Sequence, residues 1–555
     1  MFYKGVIFDL DNTLYDYDKC HKIALDNVFQ ILDNKYDLDY VQKSYRAIST
    51  SLKFELENTA SSHNKGIYFK HLLEYLKMDY TLLSRMNSTY WDYFYNNIEC
   101  FNGVKEFIIW NKQHGKKIGI LTDYEMEYQF VKLEKLGLLE YVDVIVTSEE
   151  VGIEKPSIQM FQTMLSKMNL TNGEVIMIGD NYDKDIIGAT NAEILAFWFH
   201  TNNKKTKQYI EFNSFSKLYT MFDEINKGLI QLEAMSKYSG ERFDLVQAGG
   251  GNSSVKIEDW MFIKASGYNL TNVCVNSGYV VIDNNELKTD IRNQKTQDVI
   301  HYNVIGKKRG SIETYMHSIL KKYTLHLHPI QVNRILVSKQ AAQLIQQIYP
   351  NSLVIEYLTP GIKICDEINN LYNGENVIFL INHGLIITCD NYDEVYTHLN
   401  DVLNAFEIYQ GLDFEEYKFT NIISKQLNSV FNTNNVSYLC EDRIIRSRLI
   451  NKRELFKESV TFPDELIYCG VQIMFGFETW IIEEFKRKYG EPPKIIVFND
   501  NLYITSHSIN KCKEIEEVLK SKLMILDSRY NKNYLSLDEI CFLNNWDAEQ
   551  YRKLL

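Results

Sequence analysis

Two sets of residues in this 555-residue chain have types and spacings suited to chemistry. The first set is acidic. Asp9 and Asp11 stand one residue apart after the apolar run Gly5-Val6-Ile7-Phe8, Thr122-Asp123 follow Ile118-Gly119-Ile120-Leu121, and Gly179-Asp180, with Asp185 beyond, follow Val175-Ile176-Met177-Ile178. Glu154-Lys155-Pro156 lies between the last two. Two carboxylates so spaced can bind a hard cation and still perform separate tasks. The second set is built on histidine. In Leu325-His326-Leu327-His328 the strand period puts two imidazoles on one face, a chelate arrangement, and Asn382-His383-Gly384 adds a third imidazole at the end of an apolar run. Three neutral imidazoles suit Zn²⁺ at roughly 2.0–2.1 Å and leave a coordination position open, as catalytic zinc sites do. Upstream lie Gly249-Gly250-Gly251-Asn252-Ser253, Lys264-Ala265-Ser266-Gly267 and Ser311-Ile312-Glu313. Glycines of this kind let backbone amides approach an anion such as a phosphate.

The elements that must position these residues follow from periodicity. Each acidic set ends a short buried strand or opens a helix, and in an open parallel sheet ligands bind beyond the carboxyl ends of the strands. Between residues 16 and about 95 the apolar period is helical, with Ala24, Val28 and Leu32 on one face and Tyr68, Leu72 and Tyr75 on another. Residues 209–212 read as a closing strand, 202–207 as a polar loop, and Ser214 as the start of a helix. Farther on, Leu229 to Tyr238 is amphipathic, Val255–Ile257 and Trp260–Ile263 form a hairpin pattern, and the helix opened by Ser311 leads to the His326 strand. Residues 457–555 offer a helix near 471–489, strands at 493–498 and 502–505 about an Asn499-Asp500-Asn501 turn, and a Glu- and Lys-rich helix.

Length and composition bound the possibilities. A chain of 555 residues exceeds one hydrophobic core, so two or more domains are expected. A net charge of −13 and a pI near 5.5 argue against nucleic acid or an anionic membrane as the main partner. The nine scattered cysteines form no disulfide pattern, and the sequence shows neither a signal peptide nor an 18-residue apolar span, so a cytoplasmic location is expected.

The four acidic and basic stretches, in this order over about 200 residues, resemble the haloacid dehalogenase superfamily of phosphatases. The resemblance implies a Rossmann-like α/β core with a helical cap inserted at about 16–95. It also implies that Asp9 is the nucleophile and Asp11 the acid/base. Thr122, Asp123 and Lys155 would hold the phosphoryl group, and Asp9, Asp11, Asp180 and Asp185 would surround Mg²⁺. The aspartate at position 11 favours alcohol-releasing phosphatases over dehalogenases. Glu193 departs from the pattern, since many relatives have glycine there.

The glycine-rich loop, Ser-Gly turn, Ser-x-Glu, His-x-His-Pro and Asn-His-Gly together resemble the class II aldolase and adducin family over about residues 240–410. Tyr357-Leu358-Thr359-Pro360-Gly361 has a counterpart in its longer bacterial members. The resemblance implies an α/β/α domain with Zn²⁺ on His326, His328 and His383, phosphate held by Gly251, Asn252, Ser266, Gly267 and Ser311, and Glu313 as acid/base. It also implies a homo-oligomer, because such aldolases build sites between subunits. Ile312 replaces a serine common in simpler members and removes one phosphate donor.

The expected architecture is therefore a phosphatase domain at 1–228, an aldolase-like domain at 229–456 and an α/β extension at 457–555. The expected function is a zinc-dependent aldolase acting on a ketose 1-phosphate, coupled to an Mg²⁺-dependent sugar-phosphate phosphatase. The alternatives are a sugar-phosphate dehydratase or epimerase fused to the phosphatase, and a phosphatase whose second half only binds a sugar phosphate or builds an oligomer.

Overall fold

The structure, a computed structural model, describes residues 2–32, 35–57, 59–200 and 210–545. The expected loop at 202–207 and Tyr209 of the expected closing strand lie outside these residues. The chain divides into two compact units, residues 1–227 with 304–306, and 228–303 with 307–555. The continuous helix Phe215–Gly240 passes through residues 228 and 229, where the sequence reading separates a domain-closing helix from a second amphipathic stretch.

The first unit is built on β1 (Gly5–Phe8), β2 (Lys117–Thr122), β3 (Val144–Thr147), β4 (Val175–Gly179), β5 (Leu195–Phe199) and β6 (Ile210–Phe212). They form one parallel sheet in the order β3-β2-β1-β4-β5-β6. Val6, Ile7 and Phe8, and Val175 to Ile178, are fully buried, as a sheet covered on both faces requires. Phe8 pairs with Ile120 and Ile178, so the residues following β1, β2 and β4 emerge together at one edge.

Between β1 and β2 lies the cap, with α1 (Tyr17–Gln30), α2 (Leu38–Glu55), α3 (Lys65–Tyr75) and α4 (Leu82–Asn96). Side-chain caps explain where three of them begin: Asp16 accepts from the Lys19 amide, Asp37 from Tyr40 and Asn64 from Ile67. Ala24, Val28, Leu32, Tyr68 and Leu72 are buried as the helical period predicts, whereas Tyr75 is exposed. Glu193 adopts φ 56°, the left-handed conformation that glycine would take without a side-chain penalty.

The second unit contains β7 (Asn252–Ile257), β8 (Trp260–Lys264), β9 (Tyr279–Asp283), β10 (Tyr323–Leu327), β11 (Leu353–Ile355), β12 (Val377–Leu380) and β13 (Gly384–Cys389), ordered β11-β12-β13-β10-β7-β8-β9. All pairings but β11 with β12 are antiparallel. Helices Asn284–Arg292, Thr314–Ile319 and Ile362–Leu371 cover one face through Leu287, Met316 and Ile364. On the other, Phe406 of helix Tyr392–Gln410 packs on Phe379 with ring centroids 5.3 Å apart. A further sheet in this unit joins β14 (Val436–Leu439), β15 (Met474–Phe475), β16 (Ile495–Phe498) and β17 (Asn501–Ser506) in the order β14-β17-β16-β15. Its edge strand β14 precedes residue 457, and the β16–β17 hairpin turns through Asn499 and Asp500 at φ 48° and 58°.

Candidate active sites

In the first unit, Asp9 leaves the end of β1 with its amide bonded to the Ile178 carbonyl at 2.9 Å. Its carboxylate meets Lys155 Nζ at 2.6 Å, and the same ammonium reaches Asp185 at 2.7 Å and the Leu121 carbonyl at 3.0 Å. The Thr13 hydroxyl lies 3.0 Å from Asp9 and 3.1 Å from Asp180. Oxygens of Asp9, Asp180 and Asp185 lie within 4.8 Å of one another. Burial, then the neighbouring Asp185 and Asp180 charges, push the Asp9 carboxyl well above the usual range against the pull of Lys155. Burial and Asp185 push Asp180 up to about 7. Such crowding of buried carboxylates is what a hard divalent cation relieves, and an all-oxygen donor set suits Mg²⁺.

Asp11 is not part of that cluster. Its carboxylate takes two contacts from Lys132 Nζ at 2.8 and 3.0 Å, the Tyr15 hydroxyl, and the Gln129 amide at 3.2 Å. Burial raises its pKa, but Lys132, Tyr15 and Gln129 together hold it below the ordinary value. Of the four aspartates expected about the metal, Asp11 therefore contributes no carboxylate to the cluster: its side chain is turned to an ammonium.

Thr122 is buried at the end of β2 and accepts from Gln129 at 2.6 Å. The two Asp123 side-chain oxygens accept from the Lys155 amide at 2.9 Å and from Lys184 Nζ at 2.8 Å, so its carboxylate positions Lys155. Sequence reasoning assigned no role to Thr13, Gln129, Lys132 and Lys184. A signal existed for two of them: Gln129 and Lys132 share one face of helix Met126–Lys135 with Leu133 and Leu136, and a polar pair on an apolar face needs a partner.

In the second unit the antiparallel register builds the site. His326 on β10 stands opposite Asn252 on β7 and Ile386 on β13, so the glycine-rich loop before β7 and His383 before β13 flank it. Ligand nitrogens of His326, His328 and His383 lie within 4.8 Å of one another. His326 Nε2 is 3.1 Å from His328 Nε2, and Glu313 Oε1 lies 3.3 Å from His326 Nε2 and 3.1 Å from His383 Nε2. The Leu385 carbonyl, 3.1 Å from His326 Nδ1, can only accept, which leaves the Nε2 lone pair facing the cluster. Burial and the other two imidazoles drive the His328 pKa down to about 3, so it is neutral, as a metal ligand must be. This donor set fits Zn²⁺.

The expected phosphate residues are only partly gathered. Asn252 Nδ2 donates to Ser311 Oγ at 3.0 Å and to Glu313, and Ser311 Oγ accepts the Glu313 amide at 3.3 Å. Gly251 turns at φ 72°, and a β-carbon there would lie 3.0 Å from the His326 carbonyl. The Ser266 amide is taken by the Arg309 carbonyl at 3.0 Å, while Ser266 and Gly267 sit exposed on a turn. Lys264, not singled out in the sequence, is buried and joins that turn to the glycine loop through the carbonyls of Tyr268 at 2.7 Å and Gly249 at 3.4 Å.

Residues 6–199 match the haloacid dehalogenase-like hydrolase family model, and residues 232–410 match the class II aldolase and adducin N-terminal domain. The chain is 35% identical over 194 residues to a ribulose-1,5-bisphosphate 5-phosphatase of Halopiger xanaduensis, covering 33% of this chain and 80% of that protein. It is 26% identical over 230 residues to a glyceraldehyde 3-phosphate phosphatase of Methanothermobacter thermautotrophicus, covering 40% of this chain and 97% of that protein. A solved class II aldolase domain from Thermoplasma acidophilum aligns at 24% identity and a TM-score of 0.30, over 37% of this chain and 99% of that one. No helix among the described residues is long and apolar enough to cross a membrane.

Proposed function

Since the chain belongs to the haloacid dehalogenase-like hydrolases through residues 6–199 and carries a class II aldolase and adducin domain at 232–410, we propose that it is a bifunctional enzyme of phosphorylated sugars. The first unit hydrolyses a sugar phosphate with Mg²⁺. The second makes or breaks a carbon–carbon bond of a ketose 1-phosphate, by aldol addition of dihydroxyacetone phosphate to an aldehyde or its reverse, and assembles the oligomer. The observation that carries this reading is that each unit gathers its own donor set, three carboxylates, two of them paired with Lys155, in one and three imidazoles, two of them meeting Glu313, in the other.

In the phosphatase reaction Asp9 forms a bond to phosphorus as the bond to the leaving alkoxide breaks, and water then hydrolyses the acyl phosphate. Asp11, fixed by Lys132 and Tyr15, moves the proton first to the alkoxide and then from the water. Lys155 and Thr122 bind the phosphoryl oxygens. Asp9, Asp180 and Asp185 would hold Mg²⁺, which supplies positive charge beside the phosphate. In the second unit His326, His328 and His383 would hold Zn²⁺, which supplies Lewis acidity toward a hydroxy-ketone. Glu313 moves the proton at the carbon beside the carbonyl, while Asn252, Ser311 and the amide of Gly251 orient the phosphate. The relatives named as sugar- and triose-phosphate phosphatases support the substrate class.

Metal analysis of the full chain, together with a sugar-phosphate screen, tests the reading. About one zinc per chain should vanish in His326→Ala/His328→Ala while Mg²⁺-dependent phosphate release persists. Zinc-free protein with full phosphatase activity would reduce the second unit to binding or assembly.

A further inference from the structure

Lys65, the first residue of α3, is only 5% exposed. Its ammonium donates to the His63 carbonyl at 3.0 Å and faces the rings of Tyr68, Tyr17 and Tyr124 at 5.2, 5.8 and 5.9 Å. Among the described residues no carboxylate pairs with it. Burial pushes this ammonium down to about 7, Lys53 and Lys132 push the same way, and Asp11 and Glu125 pull against them from beyond ion-pair distance. Attraction to ring faces and to these two carboxylates offsets only part of the cost of burying a cation, so the position favours an anion in direct contact, which the described residues do not supply.

This lysine neighbours the acid/base through shared aromatic rings. Lys132 faces the same Tyr17 and Tyr124 rings, at 5.3 and 5.5 Å, and is committed to Asp11. Two ammonium groups therefore flank one pair of rings, one engaged with the acid/base and one without a carboxylate. The turn before Lys65 is tied down by polar latches: Ser62 Oγ donates to Glu154 at 3.1 Å, His63 Nε2 lies 3.1 Å from the same oxygen, and Asn64 Nδ2 donates to Glu125 at 2.7 Å. Tyr124 follows Thr122-Asp123 at φ 116°, a conformation rare for a side-chain-bearing residue. Its buried hydroxyl, beside the Lys65 amide, makes no well-directed hydrogen bond. A strained residue that keeps an unsatisfied buried hydroxyl next to this lysine is a second mark of a ligand position. His21, driven down to about 2 by burial and by Lys65, Lys53 and Lys132, is neutral and contributes no competing charge.

We propose that Lys65 and the Tyr124 hydroxyl form a subsite for a second anionic group of the phosphatase substrate, a phosphate or carboxylate at the end remote from the scissile phosphate. This rests on the phosphatase reading and narrows it: the first unit selects doubly anionic sugar phosphates over singly anionic ones, with Lys65 as the selecting charge.

The test uses the full chain with Mg²⁺, as wild type, Lys65→Met and Lys65→Arg. Two substrate pairs are compared, ribulose 1,5-bisphosphate with ribulose 5-phosphate, and 3-phosphoglycerate with glyceraldehyde 3-phosphate. Wild type should favour the doubly anionic member of at least one pair by tenfold or more in kcat/KM, and the pair that shows the preference identifies phosphate or carboxylate. Lys65→Met should remove that preference mainly through KM, and Lys65→Arg should restore part of it. Equal treatment within both pairs, or a Lys65→Met loss of the same factor for every substrate, would overturn the subsite. Binding of ribulose 1,5-bisphosphate and of 3-phosphoglycerate to Asp9→Asn and Asp9→Asn/Lys65→Met by calorimetry separates the two claims. If wild type releases no phosphate from any substrate, the phosphatase reading fails. At least tenfold weaker binding of either ligand in the double variant then still upholds the subsite, and unchanged binding of both ends it.

Discussion

The two sites solve the assembly of polar groups in opposite ways. In the first unit parallel strands deliver Asp9, Thr122 and Asp180 to one sheet edge, and buried ammonium groups of the same unit, Lys155 and Lys132, meet the acids. In the second, antiparallel register sets Asn252 against His326, and neutral groups answer most of the polarity: the Leu385 carbonyl behind one imidazole, an asparagine and a serine behind Glu313. The first site is therefore a balance of full charges, in which one substitution unbalances several partners. The second is a chelate, in which each ligand can be removed with more local consequences.

Single substitutions separate the two arrangements. The largest effect is expected for Asp9→Asn, which removes the nucleophile. Phosphate release should fall by at least about 10³-fold, with the phosphorylated product of the second unit accumulating in its place, as followed by phosphate assay and mass spectrometry. Glu313→Gln should slow the carbon–carbon chemistry by roughly 10²- to 10⁴-fold while phosphate release from a preformed sugar phosphate continues. Loss of both activities would mean the sites are not separable. Lys132→Met, which leaves Asp11 without its ammonium, should reduce phosphate release by roughly 10- to 100-fold and lower stability by about 1–3 kcal/mol, read by steady-state rates and urea unfolding. An unchanged rate would show that Asp11 needs no cation to hold it. The smallest effect is expected away from both sites: Glu193→Gly relieves the φ 56° backbone and should raise stability by about 0.5–1 kcal/mol without altering either activity.

What the sequence made legible follows the same division. Strand-end acids could be read because a short apolar run ending in Asp or Thr fixes both the element and the edge, and Gly5–Phe8, Lys117–Thr122 and Val175–Gly179 are found as strands there. His326, His328 and His383 were readable because a period of two puts the first pair on one face. The groups that hold these residues were not. Lys132 and Gln129 come from a helix more than a hundred residues after Asp11, and Asn252, on a strand, meets Glu313 at the start of a helix sixty-one residues later. Asp123 follows Thr122 directly, but the direction of its carboxylate is set by Lys184, sixty-one residues later. Residue type reveals the reacting group, but the partner that aims it depends on topology.

One reaction shows whether the two chemistries are coupled. Full-length protein is incubated with dihydroxyacetone phosphate, Mg²⁺ and Zn²⁺, with and without a panel of aldehydes, and inorganic phosphate is measured over time. Coupled sites release phosphate only when an aldehyde is present, and release none in Glu313→Gln. Equal release without aldehyde, unaffected by Glu313→Gln, would contradict coupling.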